Sequence, residues 1–210
     1  MTIGYHLDEE ELRSVAVKLA LYAVNDDKGR DVGDPVHEEV TEGRTKEWEV
    51  AKRQGLSWAL KMIYSSCGDL AAWLLWRLGC RDENLMNRTN DDGIRNWIPG
   101  RNTTAITGSK LFIRGTTRSA YQPQPGDILF TMNAGGHIAI VLDWDPVRKL
   151  VTTADYGQPY GRKRVRELSQ QNGLWYIKGK TDTKASHILG WINIASVPFV
   201  AEPDYTGIDA

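Results

Sequence analysis

The sequence predicts an α+β fold, with one strongly apolar helix set on an antiparallel sheet and a helical extension at the N-terminus. The helix is read from residues 64–80, YSSCGDLAAWLLWRLGC. Leu70, Leu74 and Leu78 recur there at i, i+4 and i+8, with Ala71 and Leu75 on the adjacent row. The sheet is read from a sharp turn signal, PQPGD at 123–127, followed by strand candidates at 128–132, 137–142 and 150–154. The loops between these strands are short enough for antiparallel hairpins. HIAIVL at 137–142 is apolar on both faces, so it should be central.

Taken in order, residues 8–25 read as an amphipathic helix. Asp8 can cap it, Glu9, Glu10 and Glu11 suit its first turn, and Leu12, Val15, Leu19 and Tyr22 form its stripe. Residues 25–43 are polar, with glycines and Pro35, and read as a loop. A second helix is expected over 45–54, interrupted at Gly55. The central helix has small polar residues, Ser65 and Ser66, at its start and Gly79 at its end. Residues 81–124 form a long polar insert, anchored locally by Trp97, Ile98, Leu111, Phe112 and Ile113; a loop of that length is functional or hides short elements. Further strands are expected at 162–167, 174–178 and 188–194, and a loose tail at 202–210. The domain plan is an extension at 1–56 packed on the core, a main domain at 57–200 and a tail at 201–210.

A chain of 210 residues, 41% apolar and 25% charged, suits one globular domain. A net charge of −1 gives no electrostatic argument for nucleic acid or an anionic membrane as partner, and neither nucleic acid nor a membrane span is expected. No run approaches the ~18 apolar residues of a membrane span. The acidic start MTIGYHLDEEELRS lacks the basic and apolar regions of a signal peptide, so other machinery is expected to deliver the protein beyond the cytoplasm. Eight tryptophans against three phenylalanines suit either packing or a peptide or carbohydrate groove. Only Cys67 and Cys80 are present. A helix between them would hold them roughly 20 Å apart, so two free thiols are expected.

Cys67 falls at the start of the apolar helix, where unpaired N–H groups and the helix dipole favour a thiolate. A free cysteine is also often just a small buried hydrophobe, and both readings stand. His137 opens the central strand straight after Ala134-Gly135-Gly136, where glycines such as Gly136 admit a substrate to the imidazole. Symmetric pairing about Pro146 would place residue 155 opposite residue 137, with Cβ atoms ~4.5–5.5 Å apart. Asp155 is therefore expected beside His137, where a carboxylate can hold the tautomer and stabilise the imidazolium. A slip of one residue would put the two on opposite faces. Cysteine, histidine and carboxylate in this order suit acyl transfer from an amide. The cysteine's own N–H could help stabilise the oxyanion.

CGDLAAWLLWRLG at 67–79 resembles the helix of the NlpC/P60 peptidases in which a cysteine opens the helix. QPGDILFTMNAGGHIAIVLD at 124–143 is similar to the turn, strand, glycine pair and histidine strand of that family. VTTADYG at 151–157 is closer to the related CHAP amidases, which carry an acidic residue at the third position. The resemblance spans roughly residues 57–194. It implies a papain-like α+β architecture, a nucleophile helix packed on the sheet, and cleavage of amide bonds in peptidoglycan. It also implies Cys67 as nucleophile, His137 as base and Asp155 as orienter. A phage lysin or an exported amidase toxin fits equally, acting in the periplasm or cell wall. The partners expected are a stem peptide or other peptide substrate and an inhibitor or immunity protein. The long insert, the unmatched first 50 residues and Asp69, two residues after the cysteine, depart from the pattern.

Tyr64 and Ser66 are candidates for the substrate groove, Tyr64 equally for packing. His187 could take the place of Asp155, though a structural role fits it better, and His6 and His37 fit a solvated role. No C-x-x-C or H-x-x-x-H spacing supports a metal, and no cofactor is expected. Two other functions compete: a thiol enzyme acting on proteins, such as a deamidase or transglutaminase-like toxin, and a non-catalytic wall-binding module.

Overall fold

The structure, a computed structural model, describes residues 7–25, 29–31, 35–36, 39–40, 67–81, 112–118, 121–132, 137–157, 160–179 and 184–208. The helix expected at 45–54 and most of the 81–124 insert lie outside them. Among the described residues, the helices α1 (Glu9–Val24) and α2 (Cys67–Arg77) accompany eight strands. The strands are β1 (Arg30–Asp31), β2 (Phe112–Arg114), β3 (Ile128–Met132) and β4 (His137–Asp145), then β5 (Leu150–Gly157), β6 (Tyr160–Gln171), β7 (Leu174–Lys178) and β8 (Ser186–Ile192).

The papain-like fold, with a nucleophile helix packed on an open antiparallel sheet, is not what forms. Strands β3 to β8 close into a six-stranded antiparallel barrel, with α1 and α2 beside it. The reason lies in β6. Expected as six residues at 162–167, it runs for twelve. Its first eight residues pair with β5, and Glu167–Gln171 pair with β7. The turn after it is Asn172-Gly173, with φ of 53° and 75°, the left-handed pair that a tight two-residue hairpin needs. That turn sends β7 back along β6. Tyr176 and Ile177 of β7 then pair with His187 and Ser186 of β8, and the ring is shut. Closure leaves no free edge among the six.

Two apolar cores result, one on each side of the barrel wall. Every barrel strand contributes to the inner one: Leu129, Val141, Val151, Leu168, Trp175, Ile177, Ile188 and Trp191. The outer core gathers Ile128, Phe130, Ile138, Ile140, Ala154 and Tyr156 under the two helices. Leu70 and Leu74 of α2, with Leu78 just after its end, are fully buried there, each leucine worth about 1.5–3 kcal/mol relative to exposure.

Helix α1 begins as its sequence dictates, with the Asp8 carboxylate accepting from the Glu11 N–H at 2.8 Å. Asn25 ends it in the left-handed conformation. It belongs to the outer core, burying Leu12, Leu19 and Val24. Arg13 also ties it to the barrel, donating to Asp127 at 2.8 Å and to Asn193 at 2.8 Å. Asp127, the last residue of the PQPGD turn, further accepts from the backbone of Gln124 and Ile194. This acid is a structural knot.

At the other end of α2, Gly79 has φ +91° and lies under the chain at Ala201. As far as residue 208, the tail is docked rather than loose. Arg77, 1% exposed, donates to the carbonyls of Asp204 and Thr206 and pairs with Glu39. Among the described residues, no helix is long and apolar enough to cross a membrane.

Candidate active site

Cys67 is the first residue of α2 and is buried, 9% exposed. Here the N–H groups of the opening turn lack helical acceptors. Its thiol shares a hydrogen bond with His137, the first residue of β4. The other partner of the imidazole is Asp155 on β5, its Nε2 donating to Oδ1. With Nε2 taken by the carboxylate, Nδ1 is the nitrogen left for the sulfur. Neither Cys67 nor Cys80 is in a disulfide, and Cys80, at the far end of the helix, is fully buried.

The register that joins histidine and aspartate differs from the one expected. Residue 155 stands opposite Ala139, not His137, and the hairpin turns between Asp145 and Leu150. At that turn, Asp145–Leu150 and Asp143–Thr152 are in a register that would put residues 137 and 155 on opposite faces. A bulge between Val141 and Asp143 adds one residue to β4 and reverses that parity. From Val141 onward, His137 and Asp155 share a face as diagonal neighbours, ~7–8 Å apart at Cα. The imidazole spans the remaining gap.

That shared face is the inner one, because Ala139 and Val141 alternate with Ile138 and Ile140. Helix α2 packs on the outer side, over β4 and β5. The helix therefore does not cross the face that carries His137. Thiol and imidazole meet at the rim of the barrel, where the helix and β4 both begin.

Asp155 is 3% exposed and carries further partners. Arg166 Nη2 donates to Oδ1 at 2.7 Å and Nη1 to Oδ2 at 2.9 Å. The Thr153 hydroxyl donates to Oδ2 at 2.6 Å and accepts from Arg166 Nη1. Neither Arg166 nor Thr153 stands out in the sequence. Hydropathy would turn the neighbouring Val165 inward instead, so nothing in the sequence marks Arg166, which the structure places on the inner face with Leu168.

Electrostatics follow from these contacts. Burial alone would drive the His137 pKa down, but hydrogen bonds and charge from Asp155 and Cys67 outweigh it and raise the pKa to about 9. Burial would push Asp155 up, yet the His137 bond and the Arg166 and His137 charges hold it well below the usual carboxylate range. At neutral pH the site thus holds an imidazolium hydrogen-bonded to the Asp155 carboxylate on one side and to Cys67 on the other, with the Arg166 guanidinium balancing the carboxylate.

Tyr64, Ser66 and Gly136 lie outside the described residues, as do His6, His37 and the side chain of Asp69. His187 is no partner of the site. It sits on β8 beside Met132 and Tyr176, its ring 5.5 Å from that of Tyr176.

No protein-family model matches the chain, and no curated protein matches it in sequence.

Proposed function

We propose that this protein is a cysteine hydrolase that cleaves an amide or peptide bond by acyl transfer. The observation that supports it is the continuous hydrogen-bonded line from Cys67 through His137 to Asp155 at the mouth of the barrel. In the resting pair the thiol proton is on the imidazole, so the sulfur is already a nucleophile. It attacks the amide carbon, and the oxyanion forms beside the first-turn N–H groups of α2, beginning with that of Cys67. His137 Nδ1 gives its proton to the departing nitrogen as the C–N bond breaks, leaving a thioester on Cys67. Water, deprotonated by the now neutral imidazole, attacks the thioester; the acid leaves and the thiolate–imidazolium pair returns. Asp155 keeps Nε2 protonated throughout and stabilises the imidazolium.

The substrate we propose is a peptide or amide bond of bacterial peptidoglycan, reached in the cell wall with the help of other machinery. The likeness of CGDLAAWLLWRLG and the AGGH strand to wall-cleaving amidases supports this, independently of the fold. Incubation with purified peptidoglycan and mass spectrometry of the products tests it. New free amino groups on stem peptides are expected. Sacculi that stay intact but hold the protein would mean a binding module. A gain of one dalton on protein glutamines, with sacculi untouched, would mean a deamidase.

A further inference from the structure

On β6 the side chains run against their hydropathy. Val165 is 55% exposed, while its neighbour Arg166 is 9% exposed, on the same inner face as Leu168. A guanidinium in such a place is tolerated only when it is paired and fully hydrogen-bonded. Register puts Arg162, not Arg166, opposite Asp155. Yet Arg162 Nη1 donates to the Gly161 carbonyl at 3.0 Å, and it is Arg166, opposite Val151, that reaches along the inner wall past Thr153 to the carboxylate. Its two nitrogens take one oxygen each, and Thr153 adds a second bond to Oδ2. With His137 on Oδ1, the plane of the carboxylate is fixed from three directions.

We propose that Arg166 is a positioning residue of the Cys67–His137–Asp155 site, holding the Asp155 carboxylate ionised and with Oδ1 aimed at the imidazole. This rests on the hydrolase reading above. The charged groups contacting Asp155 are His137 from β4 and Arg166 from β6; those contacting His137 are Asp155 and, from α2, Cys67. Arginine is suited to the task because its charge is permanent and its planar fork matches both carboxylate oxygens. A lysine would supply the charge at a single point.

The test compares Arg166→Gln and Arg166→Lys with wild type in the full chain. One readout is the rate of Cys67 alkylation by iodoacetamide against pH; the other is kcat and KM on peptidoglycan fragments. A cation lowers the proton affinity of the groups around it, so Arg166→Gln moves the acid limb of alkylation upward by about 1 on the pH scale. It also lowers kcat about 10–100-fold with KM little changed. Arg166→Lys keeps the acid limb near wild type, because the charge remains, yet leaves kcat lowered because the fork is lost. Should Arg166→Gln fail to fold, Arg166→Lys decides alone: wild-type kcat in that variant overturns the proposal. So do folded variants with a lower Tm but an unmoved acid limb and kcat. Wild-type protein that alkylates at low pH but hydrolyses nothing sinks the hydrolase reading alone, and the alkylation limb still reports on Arg166.

Discussion

Asp155→Asn is the most informative single change, because the amide keeps the shape of the carboxylate and removes its charge. In the native site His137 is held protonated up to about 9, against an ordinary 6.5. At about 1.4 kcal/mol per tenfold, that is roughly 3 kcal/mol of preference for the imidazolium. Solvent at the rim trims the figure, since the His137 side chain is 29% exposed. Burial opposes the shift, so Asp155 and Cys67 together supply more than the net, and Asp155 stands first among them. In Asp155→Asn the imidazole keeps its burial and loses its main counter-charge. Its titration midpoint should fall from about 9 to near or below 6.5, read from the ring Cε1–H signal by NMR. With imidazolium no longer dominant at pH 7.5, kcat/KM should drop by about 10²–10⁴. The variant also leaves Arg166 buried against a neutral amide, a destabilisation of about 3–5 kcal/mol, so circular dichroism must accompany the assay. Asp155→Asn/Arg166→Gln removes both charges and guards against misfolding. A midpoint that stays near 9 in a folded variant would show that the carboxylate is not what holds the proton, and the reasoning fails.

Three further outcomes are expected. Cys67→Ala should abolish turnover and retain the fold, whereas Cys80→Ser should keep turnover but lower Tm, since Cys80 is fully buried; near-normal turnover in Cys67→Ala refutes the mechanism. Stability should depend on pH through the same site. His137 has a raised folded pKa, so its contribution is complete below ~6.5 and is lost as pH rises through about 9. Asp155 has a depressed one, so its contribution is present above ~3.9 and is lost as pH falls further. With the thiol proton held on the imidazole, the Cys67–His137 pair binds as many protons folded as unfolded between ~6.5 and ~8.5. Tm should therefore stay nearly level there and decline from pH ~8.5 to ~9.5, and that decline should shrink in His137→Gln. Lastly, Gly79→Ala should destabilise by about 1–3 kcal/mol in urea. A Cβ there would lie 2.0 Å from the Ala201 carbonyl oxygen, at a φ that side chains rarely adopt. Iodoacetamide should still modify Cys67 at the wild-type rate, because Gly79 lies at the opposite end of α2.

The local signals in this chain were legible, and the ones that failed were those that depend on a partner strand. The apolar stripe of α2, the Asp8 cap and the positions of Cys67 and His137 at element starts are written in spacing and residue type, which act within one element. Closure of the barrel is not. It depends on β6 continuing through RELSQQ, a polar stretch that no alternation marks as a strand. Asn172-Gly173 was the one local mark of the hairpin that follows. An open sheet and a closed barrel share most of their strands, and the difference rests on two residue pairs between β7 and β8.

The same distinction holds at the site, where His137 and Asp155 meet through a register other than the symmetric one. Symmetric pairing about Pro146 put residues 137 and 155 on one face, and the bulge at 141–143 delivers that face by another register. Hydropathy could not place a bulge in a strand apolar on both sides, since either parity buries an apolar set. What selects the parity is polar: with Asp155 turned outward, Arg166 would lose both its carboxylate bonds inside the barrel. A buried pair that demands one register is a reason for an antiparallel hairpin to keep a bulge. On this argument, the inward turn of Arg166 and the outward turn of Val165 belong to the same solution as the meeting of thiol and imidazole at the rim.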